Sequence, residues 1–289
     1  MAIRKQPKAI NKQPTKDPKP IYVAFDTNII SYLSMLHGSL YEKDSNGNFI
    51  TEDGNLIKSS KKLDPEKLYR STFKYNSKKI ENITKLYEMI DAGLVRPVVV
   101  NTVFQEINAI GNQAVKQNCM SFIQNFSYFP NYTQANMQQK REEICHLAEK
   151  YCTEYKSPIN HRTYEPAMER KYCAAMMKEI PENDAFIMAE STVEGLVLIT
   201  ENASHFITTY EDEQYNRQNP NAIPKENKRQ TIININKTGD SRGVSYAADN
   251  NNVPRPETLD SFIFYVEKGT YRSTEPRSVL HKAKDQLEM

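Results

Sequence analysis

IYVAFDTNIISYL, residues 21–33, decides the reading of the chain. Its first five residues are apolar without a break, the pattern of a strand buried on both faces. Asp26 ends the run, and from about Asn28 to Leu36 apolar residues return at helical spacing. Two similar runs follow, PVVV at 97–100 and LVLIT at 196–200, and a fourth strand is read at Thr231–Ile235. Between them, spacing predicts helices over 80–92, from Val103 through Glu106, over much of 112–179 with breaks at Pro130 and Pro158, and from Asn183 to about Val193. Ser204–Tyr210 reads as a helical turn. Asn46–Gly47 and Asp53–Gly54 are turn pairs that predict hairpins inserted within 38–60. Residues 237–257 read as loop, and Leu259–Val266 as a last amphipathic stretch before a polar tail.

Buried strands alternating with helices imply an α/β fold: three layers, α/β/α, around a central, mostly parallel sheet. The expected organisation is a disordered basic tail over 1–20, a domain over 21–210 with an insertion at 38–79, and an extension over 211–289 packed on that domain. In the tail, Arg4, Lys5, Lys8, Lys12, Lys16 and Lys19 face only Asp17.

Composition narrows the chemistry. The chain has 289 residues, enough for a core without disulfide or metal staples. Lys plus Arg number 38 and Asp plus Glu 36, so the net charge of +2 excludes a histone-like polycation. Only nine glycines occur, and neither GxxxxGK[ST] nor GxGxxG is present, which argues against a glycine-built phosphate loop. Apolar runs of about five residues fall far short of the roughly 20 that span a bilayer. A polar, basic start and four cysteines without a CxxC pair point to reduced thiols and a cytoplasmic protein. Cys145, His146 and Cys152 share one helix, but nothing completes a tetrahedral zinc set.

In parallel sheets, ligands bind beyond the carboxyl ends of the strands. Asp26, Thr27 and Asn28 follow the first strand, and Glu106 lies one turn into the helix after the second. Thr200 and Asn202 end the third, and Asp184 opens the helix that leads into it. Each of Asp26, Asp184 and Asn202 also suits a helix cap, and Glu106 suits an exposed helical site. Gathered on one rim, they are oxygen ligands without Cys or His, the donor set of Mg²⁺ or Mn²⁺. Such a site activates water for phosphodiester hydrolysis. Asn28 stands where an aspartyl-phosphate phosphatase would carry a second Asp.

Residues 58–79 hold eight basic and two acidic residues, with Tyr69, Phe73 and Tyr75 among them. Lys61, Lys62, Arg70 and Lys74 are candidate phosphate contacts and the rings candidate stacking surfaces for RNA. An ordinary charged helix with its rings in the core fits the same pattern.

Three blocks resemble the PIN-domain nucleases. AFDTNIISYL (24–33) looks like their opening strand, Asp and helix, and VVVNTVFQEI (98–107) like the Glu-bearing second motif. PENDAFIMAESTVEGLVLITENASHF (181–206) is similar to the closing motifs in order, spacing and residue type. The resemblance implies a metal-dependent endoribonuclease. Asp26, Glu106 and Asp184 would be the metal-binding acids, Asn202 would take the place of a fourth acid, and Thr27, Asn28 and Thr200 would support them. His205 and Phe206 would be packing residues. The expected ligands and partners are Mg²⁺ or Mn²⁺, single-stranded or structured RNA, an antitoxin or other protein, and a second copy of the chain. Eighty residues separate Asp26 from Glu106, and 78 separate Glu106 from Asp184, so the chain resembles an enlarged, toxin-like variant. The alternative is a catalytically silent RNA- or protein-binding module on the same fold.

Overall fold

Ile21–Phe25 forms strand β1, as its apolar run predicts, in a computed structural model that describes residues 19–74, 76–154, 182–202, 206, 217–221, 232, 235–236, 256–271 and 275–287. Helix α1 follows at Thr27–Leu40, longer than the spacing predicts. Ile29, Ile30, Leu33 and Leu36 are buried at its i, i+1, i+4 and i+7 positions. The insertion then makes the short hairpin β2 (Thr51–Glu52) and β3 (Asn55–Leu56) around Asp53–Gly54. Both turn residues take positive φ, 51° and 76°, a conformation that glycine adopts without steric cost. Bridges Tyr41–Lys58 and Lys43–Phe49 close the outer turn around Asn46–Gly47.

Helices α2 (Pro65–Phe73) and α3 (Ser77–Asp91) lead to β4 (Val95–Val98). Then come α4 (Asn101–Asn108), α5 (Gln113–Phe126), β5 (Tyr128–Asn131) and α6 (Gln134–Glu154). Helix α7 (Glu182–Val193) feeds β6 (Leu198–Ile199), and the chain adds β7 (Pro256–Glu257), α8 (Leu259–Glu267), β8 (Val279–Lys282) and α9 (Ala283–Leu287).

Among the described residues, six strands form the central sheet in the order β7-β6-β1-β4-β5-β8. All neighbouring pairs are parallel except β5 with β8. Helix α1 packs on α2, α3 and α5, and α3 on α8; α7 packs on α6 and α4. These two helix groups and the sheet are consistent with a three-layer α/β/α arrangement.

The chain leaves β1 for β4 on one side and later returns to β6 on the other. This reversal of strand order places a crevice at the carboxyl ends of β1 and β6. Ladder bonds hold those ends level: Asp26 N donates to Ile199 O at 3.0 Å, and Thr200 N to Glu257 O at 2.9 Å.

Several expectations need correction. Ile232, Ile235 and Asn236 are helical and buried, so the described residues of the expected strand at Thr231–Ile235 are helical. Their i, i+3, i+4 spacing is a helix face, and burial overrides the β preference of isoleucine. Pro130 lies within a strand, not in a helix break: β4 pairs with β5 at Tyr128, so the missing N–H of Pro130 falls beyond that pairing. Pro256–Glu257, read as loop, is the edge strand β7, and the polar tail carries β8 and α9. Tyr69 and Phe73 are not free to stack on bases. Tyr69 is fully buried and donates to Tyr32 O at 2.5 Å, while Phe73 is 7% exposed and meets the Tyr32 ring edge-on at 4.7 Å. Residues 1–18, Tyr75, 155–181 and His205 lie outside the described residues, as does all of Ser204–Tyr210 but Phe206, which is helical and buried.

Candidate active site

Asp26 occupies the N-cap position of α1, yet its side chain makes no capping hydrogen bond. It is 3% exposed, and its Oδ2 accepts the Thr200 hydroxyl at 2.9 Å and the Asn28 amide at 3.5 Å. The cap explanation therefore fails for this residue. Its carboxyl is pushed up to about 6, mainly by burial; the negative charges of Asp184 and Glu106 add to the rise, and the Thr200 hydrogen bond opposes it. Three carboxylates from remote parts of the chain thus act on one another at one edge of the sheet.

Glu106, on α4, is half-buried and held on both oxygens: Thr27 Oγ1 donates to Oε2, and Asn183 Nδ2 to Oε1 at 3.0 Å. Asp184 sits in the first turn of α7, where carboxylates favour the exposed N–H groups. Asn202 Nδ2 donates to Asp184 Oδ2 at 3.3 Å, and Asn202 N donates to Thr200 Oγ1 at 2.9 Å. The buried hydroxyl of Thr200 therefore links Asp26 to the loop that carries Asn202. A second tie sits deeper. Glu190 of α7 accepts the Thr102 N–H of α4 at 3.0 Å and so sets the helix that carries Glu106 against the one that carries Asp184. Burial pushes the Glu190 carboxyl up to about 7.

The structure brings together Asp26, Thr27, Asn28, Glu106, Asp184, Thr200 and Asn202. Lys61, Lys62, Arg70 and Lys74 are exposed. Lys79, from the same basic segment, reaches the rim: its ammonium pairs with Glu201 at 2.5 Å and stands 5.1 Å from the Phe73 ring centroid and 5.8 Å from that of Tyr32. Burial raises the pKa of Tyr32; Glu201 and Asp26 act in the same direction and Lys79 against it. Sequence reasoning missed Tyr32 and the role of Asn183. Tyr32 lies one helical turn past Asn28, a spacing that puts both on one face. Asn183 gave no signal beyond its place at a helix start.

The donor set is all oxygen and suits a hard cation. Among the described residues, no three His, Cys, Asp or Glu side chains form a ready-made metal cage. Mg²⁺ keeps several waters and takes one or two carboxylates directly. No family model, curated protein or solved structure matches the chain.

Proposed function

We propose that this chain is a divalent-metal-dependent endoribonuclease of the PIN-domain kind, hydrolysing RNA phosphodiester bonds at the rim formed by Asp26, Glu106 and Asp184. One observation carries the reading: the Asp26 carboxyl is buried, spared from capping, and raised in pKa partly by two other carboxylates. Crowded acids at a strand-switch crevice cost stability and persist where a cation and a substrate use them.

In this reading Asp26, Glu106 and Asp184 hold Mg²⁺ or Mn²⁺. Bound there, the ion would supply Lewis acidity toward the phosphoryl oxygens and would orient and acidify a water so that it loses a proton more readily and attacks phosphorus as hydroxide. The chain's own groups do the positioning. Thr200 and Asn28 fix Asp26, Thr27 and Asn183 fix the two oxygens of Glu106, and Asn202 fixes Asp184. With each acid held by a neutral donor, its charge remains available to the cation. A toxin, a defence effector and an RNA-processing enzyme would all use this chemistry.

The test is an assay of the full chain on single-stranded and structured RNA with Mg²⁺ or Mn²⁺. Cleavage that disappears in EDTA and in both Asp26→Asn and Asp184→Asn supports the proposal. Cleavage surviving all three rejects it. A silent binding module is favoured by one observation: an amide, Asn202, faces Asp184 where a fourth acid would stand. It predicts RNA binding with no turnover in any metal.

A further inference from the structure

A cavity of about 880 Å³ opens against the same rim, lined from α4, β5, α6, α7 and α9. Asn183 belongs to both places: it lines the cavity and donates to Glu106 Oε1. Gln105, the neighbour of Glu106 on α4, also faces it. The volume lies within the range of cavities that hold a nucleotide-sized ligand.

The lining says what kind of ligand. Phe104, Phe129 and Phe186 give it flat apolar surfaces, with Phe104 and Phe129 edge-to-face at 5.3 Å. Asn101 and Gln105 are exposed amides, each with a donor and an acceptor. Arg141, also exposed, adds a guanidinium that pairs with phosphate or stacks on a ring. A purely apolar ligand would desolvate those amides without replacing their hydrogen bonds. A nucleotide of an RNA strand uses all three features: its base has a π face and an edge of mixed donors and acceptors, and its sugar carries a phosphate.

We propose that this cavity is a base-reading subsite, in which one unstacked base of an RNA strand stacks on Phe104 and Phe186, presents its edge to Asn101 and Gln105, and sets its phosphate on Arg141. The inference rests on the nuclease reading above and extends it, since an enzyme with such a subsite cuts beside one type of base. Asn183 then touches both the bound base and the acid Glu106, so occupancy and cutting are coupled.

Fluorescence anisotropy of the full chain with labelled decamers of rA, rC, rG and rU, in EDTA to prevent cutting, tests this. One homopolymer should bind best. Gln105→Ala, which removes an edge contact, should weaken that one by about tenfold and leave the others nearly unchanged, whereas Arg141→Ala, which removes a phosphate contact, should weaken all four alike. Cys145, exposed on the cavity wall, gives a second readout. The preferred oligomer should slow its alkylation by iodoacetamide, followed by peptide mass. Equal affinity for all four oligomers, or a Gln105→Ala protein that keeps wild-type preference with Cys145 unprotected, overturns the subsite. Base preference lost on Gln105→Ala in a protein that cuts no RNA with Mg²⁺ or Mn²⁺ supports the subsite and rejects the nuclease. Metal-dependent cutting without base preference does the reverse.

Discussion

Asp26→Asn should make the metal-free protein more stable at neutral pH while removing its activity. The Asp26 carboxyl is 3% exposed, and its pKa rises from 3.8 to about 6 on folding, first through burial and then through Asp184 and Glu106. A carboxyl with a raised pKa in the fold binds its proton more tightly folded than unfolded. Below about pH 4 both states are protonated and no penalty exists. Above about pH 6 both are ionised and the folded state bears the full penalty, so wild-type stability falls as pH rises through that window. About two pKa units at 1.36 kcal/mol each give about 3 kcal/mol. Asparagine keeps an acceptor for Thr200 Oγ1 but brings an N–H₂ to a buried place, which takes back about 1 kcal/mol. The expected gain is about 2 kcal/mol at pH 8, fading to nothing or reversing at pH 4. Urea unfolding in EDTA at pH 4, 6 and 8 measures it. Adding Mg²⁺ should then stabilise the wild type and leave the variant unmoved, because a ligand that binds only the folded state adds its binding free energy. A variant less stable than wild type by the same amount at pH 4 and pH 8 would show that Asp26 is an ordinary stabilising group.

Three other outcomes follow from the same structure. His37 is fully buried between Tyr87 OH at 3.1 Å and Ser121 Oγ at 2.9 Å, and burial first, then Lys43, lower its pKa to about 3. The unfolded chain takes up that proton below pH 6.5 and the fold does not, so stability is lost as pH falls from about 6.5 toward 3, by up to about 5 kcal/mol; His37→Gln should flatten this acid limb, read from urea midpoints against pH. Phe73→Ala should cost about 3–5 kcal/mol as a core truncation, whereas Lys74→Ala, exposed next to it, should stay within about 0.5 kcal/mol, both read from thermal melts. If RNA runs over the basic segment, replacing Lys61 and Lys62 together by Ala should lower the slope of log affinity against log salt by about one to two; an unchanged slope removes both from the interface.

The mostly parallel sheet and the places of Asp26, Thr200 and Asn202 at strand ends were legible because each rests on a local pattern. IYVAF and LVLIT are continuous apolar runs, and Asp26, Thr200 and Asn202 stand directly at their ends. The edge strands were not legible. β7 has two residues, β5 contains Pro130, and β5 pairs with β8 some 150 residues along the chain, as at Phe129 and His281. Such pairing leaves no local periodicity to read. Tyr69 and Phe73 carried an i, i+4 spacing that signals a core face, but the lysines around them suggested a nucleic-acid surface. What separates Asp26 from an ordinary helix cap is where its carboxyl points and which charges surround it, and that depends on Glu106 and Asp184 arriving from 80 and 158 residues away. The ion pair of Lys79 with Glu201 was hidden for the same reason, since it joins the inserted segment to the end of β6.

Anomalous diffraction from crystals of the protein soaked in Mn²⁺ tests the shared acidic pocket most directly. The account predicts a manganese peak bordered by the carboxylates of Asp26, Glu106 and Asp184 and absent from Asp184→Asn crystals. A peak elsewhere, or none at this rim in crystals whose other Mn²⁺ contacts are occupied, would contradict it.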